Sequence, residues 1–279
     1  MPSLAIHGAE LNYELVGSGR PAFVLVHGGC CALSDWRAQI DSLSREFAVL
    51  AMDLRGHGSS SGGDAELTVP QWAADVNALI ETFDLGPAVI VGHSLGSRIA
   101  AEAVVQRPAN AAALVLLDGS RVFGGLAAIE PQPGFAEAQG GHMSLAAILS
   151  RTVGRHADTA TREPVVRTMS SPWEAVMWVA VKALEGWDRE SADDVFAALP
   201  ERLPLLAIQS TYHDNFTPRR SFESVMESSP YLDHLRAILP RLAVHILPRT
   251  GHFSMMERPA EVTAALREFG LAAVRGLKR

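Results

Sequence analysis

Short runs of apolar residues recur along the chain, and most of them stop at a glycine or a polar residue. Most of these runs are apolar throughout rather than alternately apolar and polar, which is typical of strands buried on both faces of a mostly parallel sheet. The pattern predicts strands at Leu11–Val16, Phe23–Val26, Ala48–Met52, Ala88–Val91, Leu114–Leu117, Leu205–Ile208 and Ala243–Leu247.

Helical patterns separate several of these runs, with Val69–Phe83 and Ala260–Val274 as examples. Alternating strands and helices favour a layered α/β domain. The predicted fold is therefore a mostly parallel sheet flanked by helices.

One connection is much longer than a single crossover helix requires. Between Leu117 and Leu205 the chain has no comparable strand run and holds helix-like pieces at Leu145–Val153, Pro172–Glu185 and Ala192–Leu199. We predict a core domain formed by residues 1–118 and 201–279, with residues 119–200 inserted as a helical cap. Ligands in open α/β sheets bind beyond the carboxyl ends of the strands, so a cap is expected there. A helical decoration far from the site is the alternative.

Composition narrows the class of protein. The chain has 279 residues, of which 48% are hydrophobic and 20% charged, with a net charge of −7. These values fit a globular protein, and the negative charge argues against a nucleic-acid surface or strong attraction to anionic lipid. No apolar stretch approaches the roughly 20 residues that span a bilayer, and the start of the chain does not resemble a signal peptide. We expect a small-molecule substrate as partner; nothing in the pattern indicates an oligomeric state.

Cys30 and Cys31 are the only cysteines. Adjacent cysteines rarely form a structural disulfide, and two ligands do not make a zinc site. The absence of a disulfide framework suits a reducing cytosol, so we expect a cytoplasmic protein without a structural metal.

The segment Gly92–Gly96 carries the strongest chemical signal. It reads G-x-S-x-G and lies between a predicted strand and a predicted helix, the context that this motif requires. Ser94 is therefore the predicted nucleophile, and the flanking glycines are expected because side chains there would collide with the neighbouring strand and helix. The turn also aims the Leu95 amide at the position of a substrate oxyanion.

A serine nucleophile needs a base, and His252 is the best placed of the ten histidines. It follows the last predicted strand, so it belongs to the same sheet edge as Ser94. His93 adjoins Ser94 and points away, which favours a packing and hydrogen-bonding role. His27 is expected to fix its own loop, where the Gly29 amide is predicted to complete the oxyanion hole with Leu95.

Together these pieces resemble the α/β-hydrolase superfamily, in its capped esterase-like branch. The resemblance covers almost all of the chain outside the cap. It rests on four motifs in order: His27–Gly29, Asp53–Ser59, Gly92–Gly96, and Gly251-His252 with the downstream Glu257 and Pro259. It implies a serine hydrolase without metal or organic cofactor, and a structural rather than catalytic turn at Asp53–Ser59.

The acid that orients the base is open between two residues. The family usually places it in a short loop after the penultimate strand, where Asp214 is available but the usual opening glycine is missing. Asp118 ends the strand after the elbow helix, a position that some members of the family use. We prefer Asp118 and keep Asp214 as the alternative, because either carboxylate could hold His252 in the required tautomer.

The expected reaction is cleavage of a small, fairly apolar ester or lactone. Carbon–carbon bond hydrolysis and cofactor-free dioxygenation are alternatives on the same scaffold, and a non-catalytic ligand receptor is another. Candidate pocket residues are Cys30, Trp173, Met177 and Trp178, since ligand sites are mostly apolar. The cysteines are interpreted as small packing residues.

Overall fold

The computed structural model describes residues 2–63, 65–121, 153–154, 157–159, 161–163, 165, 174–214 and 219–277, with the backbone alone at 174–178 and 276–277. The strands are β1 (Ser3–Ile6), β2 (Ala9–Val16), β3 (Phe23–Val26), β4 (Val49–Met52), β5 (Ala88–His93), β6 (Ala111–Leu117), β7 (Leu205–Gln209), β8 (Thr211–Tyr212), β9 (Arg220–Ser221) and β10 (Ala243–Ile246). The α-helices are α1 (Arg37–Leu43), α2 (Val69–Thr82), α3 (Leu95–Gln106), α4 (Glu174–Glu190), α5 (Ala192–Ala198), α6 (Pro230–Ile238), α7 (Ser254–Glu257) and α8 (Pro259–Leu277), with short 3-10 turns at Leu33–Trp36 and Pro108–Asn110.

Eight of the strands form one sheet in the order β1-β2-β4-β3-β5-β6-β7-β10. The strands from β4 to β10 in this order are parallel, and the first two pair antiparallel at one edge. β8 and β9 form a separate antiparallel hairpin. Because β3, β5 and β6 are neighbours, the loops that follow them meet at one point of the carboxyl edge, where the chain changes its winding direction.

The central strands are buried on both faces, as their continuous apolar sequences predict. Successive side chains of a strand point to opposite sides of the sheet. On β3, Val24 and Val26 face the helices α2 and α3, whereas Phe23 and Leu25 face α1 and α8. The predicted α/β architecture is confirmed, and the helices α4 and α5 lie in the long connection between β6 and β7. The predicted helix at Leu145–Val153 lies outside the described residues except for Val153.

A buried ion pair joins α3 to this long connection. Arg98 on α3 donates two hydrogen bonds to the Asp188 carboxylate on α4, at 2.7 and 2.6 Å, and a third to the Ser120 carbonyl at 2.5 Å. The two side chains are only 4% and 2% exposed. The pair therefore fixes the first residues after β6 and the helix α4 against α3, the helix that follows Ser94.

Replacing Arg98 with alanine should destabilise the protein by about 4 kcal/mol, because it leaves the Asp188 charge buried and unpaired. Urea unfolding measures the loss. The matched control is Glu46→Gln, which breaks the exposed Arg267–Glu46 pair and should leave the urea midpoint unchanged. Exchanging both partners together, as Arg98→Met with Asp188→Leu, should recover most of the stability. An Arg98→Ala protein with the wild-type midpoint would contradict this account.

Candidate active site

The turn after β5 has the geometry of a strained elbow. Ser94 has a backbone φ of +53°, in a region that side chains other than glycine rarely adopt, and α3 begins at the next residue. A Cβ atom on Gly92 would lie 2.0 Å from the Gly96 carbonyl oxygen, and one on Gly96 would lie 2.4 Å from the Val26 carbonyl oxygen. Both positions therefore require glycine, as predicted.

Asp118 and His252 are joined directly. The His252 Nδ1–H donates to Asp118 Oδ2 at 2.5 Å. Asp118 is fully buried and has a φ of +44°, and the Ser94 amide donates to the carbonyl of Leu117, just before it, at 3.0 Å. The adjacent strands β5 and β6 thus carry the serine and the aspartate side by side, while the loop after β10 brings the histidine to them.

Several donors hold the Asp118 carboxylate. Its Oδ1 accepts from the amides of Ser210 and Thr211 at 2.8 and 2.9 Å, and its Oδ2 accepts from the Thr211 hydroxyl at 2.7 Å. Burial opposes the charged form, but the His252 hydrogen bond, the nearby cations and the amide donors bring the pKa of Asp118 down to about 2. Asp118 is therefore a carboxylate at neutral pH.

Burial lowers the pKa of His252, and the cation of Arg219 lowers it further, while Asp118 raises it. His252 is therefore neutral at pH 7, the form that can accept a proton. The hydrogen bond to Asp118 uses Nδ1 of the ring and does not involve Nε2.

Asp214, the alternative acid, has a different hydrogen-bond partner from Asp118. It is partly exposed, and it accepts a hydrogen bond from the Tyr212 hydroxyl at 3.2 Å. The hydrogen-bond partner of His252 Nδ1 is Asp118. The geometry thus favours Asp118 over Asp214 as the residue that orients the base.

The loop after β3 is held by His27. Its Nδ1 donates to the Gly28 carbonyl at 2.7 Å, and its Nε2 accepts from the Leu54 amide at 2.9 Å, as expected for a structural histidine. Gly29 lies against Leu95, since a Cβ atom on Gly29 would be 3.7 Å from a methyl group of that leucine. The Leu95 amide is the first of α3, where amides have no partner within the helix and the helix dipole is positive.

The cysteines behave as packing residues. Cys30 has a φ of +55°, and burial raises its pKa to about 12. Cys31 is also buried, and its pKa lies well above the ordinary value because of burial and the nearby Asp35 carboxylate. Thiols with raised pKa values are poor nucleophiles.

His93 supports the histidine loop. Its Nε2–H donates to the backbone carbonyl of His252 at 2.9 Å, and the two rings lie 4.7 Å apart. Burial, together with the neighbouring His252, lowers the pKa of His93 to about 3, so the ring is neutral. It acts on the backbone of His252, consistent with the packing and hydrogen-bonding role expected for it.

Glu257 connects the histidine loop to the long connection after β6. Its carboxylate accepts from the Gly251 amide at 2.9 Å and from the Gly154 amide at 3.0 Å. The two glycines pack so closely that a Cβ atom on Gly251 would lie 2.0 Å from the Gly154 nitrogen. The residue before His252 is therefore fixed against a described part of the predicted cap.

Of the predicted pocket residues, Cys30 is described, and it is buried in the loop after β3, next to Gly29. Trp173 and the side chains of Met177 and Trp178 lie outside the described residues. Among the described side chains, no group of three or more His, Cys, Asp or Glu could hold a metal ion. Within the same part of the chain, no helix is long and apolar enough to cross a membrane.

Sequence reasoning missed Arg219. Its Nη1 lies 3.1 Å from His252 Nδ1 and 3.5 Å from Asp118 Oδ2. No motif marks this residue. It immediately precedes β9, and the pairing of β9 with β8 brings it beside His252.

Comparison with known proteins identifies the family and the fold. A sequence model described as the alpha/beta hydrolase family matches residues 23–266. A thermophilic esterase from Thermogutta terrifontis has 26% sequence identity and a TM-score of 0.74, with 97% of each chain covered. The enol-lactonase from Burkholderia xenovorans LB400 has the same fold at 22% identity and a TM-score of 0.74, covering 96% of this chain and 99% of that one.

One curated relative is a (E)-2-((N-methylformamido)methylene)succinate hydrolase from Acinetobacter baylyi. It is 35% identical over 111 residues, which are 39% of this chain and 41% of that protein. In three curated relatives, the region that aligns with this chain covers 34%, 30% and 41% of the relative's length. The match therefore spans less than half of each of these proteins.

Proposed function

Since the chain belongs to the alpha/beta hydrolase family, we propose that it is a serine hydrolase that cleaves a small, fairly apolar carboxylic ester or lactone through an acyl-enzyme. The observation that carries the proposal is the buried Asp118–His252 hydrogen bond beside the strained turn at Ser94. A neutral histidine that is oriented by an ionised aspartate is the base that a serine alcohol needs.

In the proposed mechanism, Ser94 Oγ attacks the substrate carbonyl carbon while His252 Nε2 takes the hydroxyl proton. Asp118 keeps the proton of the resting imidazole on Nδ1 and stabilises the imidazolium. The amides of Gly29 and Leu95 hold the developing oxyanion, and one such donor contributes on the order of 3 kcal/mol to catalysis. His252 then protonates the leaving alcohol, and water releases the acid by the reverse sequence of proton transfers.

Similarity to a protein named as an esterase supports an ester substrate, and the same fold in a protein named as an enol-lactonase keeps a lactone in the proposal. The Acinetobacter relative is named as the hydrolase of a substituted succinate, which makes a carboxylate-bearing substrate a second candidate. Residues 119–200 are proposed to form the cap that selects among them. A panel of neutral and anionic esters, with lactones of increasing acyl length, addresses this choice.

A fluorophosphonate probe tests the covalent mechanism. The folded protein should gain one phosphonyl adduct, located at Ser94 by peptide mass spectrometry, because only an activated serine attacks the probe readily. Heat-denatured protein is the control and should remain unlabelled. If the folded protein stays unmodified and turns over no member of the ester and lactone panel, the proposed hydrolase function is wrong. A ligand receptor on the same fold would then be the better explanation.

A further inference from the structure

Arg219 places a positive charge behind the histidine of the candidate site. Its side chain is 15% exposed, and its Nη1 group lies within 3.5 Å of three different polar groups. It donates to Thr211 Oγ1 at 2.9 Å, and it lies 3.1 Å from His252 Nδ1 and 3.5 Å from Asp118 Oδ2.

Donor and acceptor roles define what Arg219 can do there. A guanidinium only donates, and His252 Nδ1 already donates its proton to Asp118, so the short contact between Arg219 and Nδ1 is not a hydrogen bond. The consistent arrangement has Arg219 donating to the Thr211 oxygen, while the Thr211 hydroxyl donates to Asp118 Oδ2 at 2.7 Å. Arg219 therefore acts on the Asp118–His252 pair through Thr211 and through its charge.

The charges around His252 determine whether its protonated form is favoured or disfavoured. Asp118 is negative and favours the imidazolium, whereas Arg219 disfavours it. From α3, Arg98 adds a weaker positive influence and is itself paired with Asp188, while His93 from β5 is neutral. On the histidine's own loop, Glu257 is engaged by the Gly154 and Gly251 amides. Among the residues that the structure describes, Arg219 is thus the cation in closest contact with the ring.

We propose that Arg219 is a positioning residue that sets the working pH range of the site, by keeping Asp118 ionised and His252 unprotonated in mildly acidic solution. This inference rests on the proposed serine hydrolase mechanism. A cation here makes His252 a weaker base but one that is available at lower pH. Arg219 lies on the Nδ1 side of the ring, opposite the Nε2 atom that must face Ser94, so it does not reach the reacting carbonyl.

The test compares Arg219→Gln and Arg219→Lys with Arg220→Gln, a neighbouring control that removes an exposed arginine paired with Glu227. The rate kcat/KM for p-nitrophenyl acetate is measured from pH 4.5 to 9. The acid limb of the profile should move up by about one pH unit in Arg219→Gln, stay near wild type in Arg219→Lys, and not move in the control. A uniform loss of rate with an unmoved acid limb would overturn the inference. The same variants are also assayed on the panel of neutral and anionic esters. A loss of rate confined to the anionic esters would also overturn the inference, because it would make Arg219 a substrate-binding residue.

Titration of the His252 ring by NMR separates this inference from the proposed function, because it needs no turnover. The pKa of His252 should rise in Arg219→Gln relative to wild type and remain unchanged in Arg220→Gln. If the titration moves while no ester is hydrolysed, the proposed function fails and the role of Arg219 stands. If hydrolysis occurs and neither the titration nor the acid limb moves, the role of Arg219 falls alone.

Discussion

Asp118→Asn should lower kcat for ester hydrolysis about 10⁴-fold, the size of effect seen when the aspartate of a serine–histidine–aspartate site is neutralised in place. The reason is the tautomer of His252. An asparagine amide can donate to Nδ1, and the imidazole proton then moves to Nε2, where it blocks proton transfer from Ser94. The Ser210 and Thr211 amides can still bond the remaining oxygen, so the local backbone should persist.

Asp214→Asn is the matched control, since it makes the same change at the alternative acid. Its carboxylate bonds the Tyr212 hydroxyl at the partly exposed end of the loop, so its kcat should stay within a few-fold of wild type. Single-turnover acylation with a p-nitrophenyl ester measures both variants, and circular dichroism checks folding. The preference for Asp118 would be wrong if the Asp214 variant lost most of its activity and the Asp118 variant kept it.

Ser94→Ala should cost about 10⁶-fold in kcat, because removal of the nucleophile leaves only the oxyanion donors and substrate binding. The Leu95 amide keeps its place in the first turn of α3 without the serine hydroxyl. The His27 hydrogen bonds that hold the loop after β3 do not involve Ser94 either. The variant should therefore fold with an unchanged melting temperature and bind a slowly hydrolysed ester with wild-type affinity.

Isothermal titration calorimetry with the slow ester, next to initial rates with a fast one, separates binding from chemistry in Ser94→Ala. The fluorophosphonate adduct should also disappear in this variant. Hydrolysis that survives at more than a few per cent of wild type would point to another nucleophile or to direct attack by water, and the acyl-enzyme route would have to be abandoned.

Most of the sheet could be predicted because its central strands are buried on both faces. Phe23–Val26 needs no knowledge of its neighbours to be identified, since every side chain is apolar. β1 was not predicted, because it is a four-residue edge strand in which only one side chain is buried. The helix α6 also escaped, although Ser229 caps it and Pro230 begins it, a start signal that the sequence displays openly.

The candidate site was predictable where chain order determines position. Ser94 follows one strand and His252 follows the last, so both had to reach the same edge. The choice between Asp118 and Asp214 depends instead on backbone angles and side-chain directions, and the φ of +44° at Asp118 has no signature in the sequence. Arg219 could not be foreseen for a similar reason, because a two-residue hairpin pairing aims it at His252.

The strand order also determines when a newly made chain can become reactive. Ser94 and Asp118 follow the neighbouring strands β5 and β6, but His252 comes 134 residues after Asp118 and follows β10, which pairs only at the edge of the sheet. Synthesis proceeds from the N-terminal end, so Ser94 is made well before the histidine proposed as its base. If His252 is the base, Ser94 remains an ordinary alcohol until β10 joins the sheet, so a partly made chain would not yet be open to acylation.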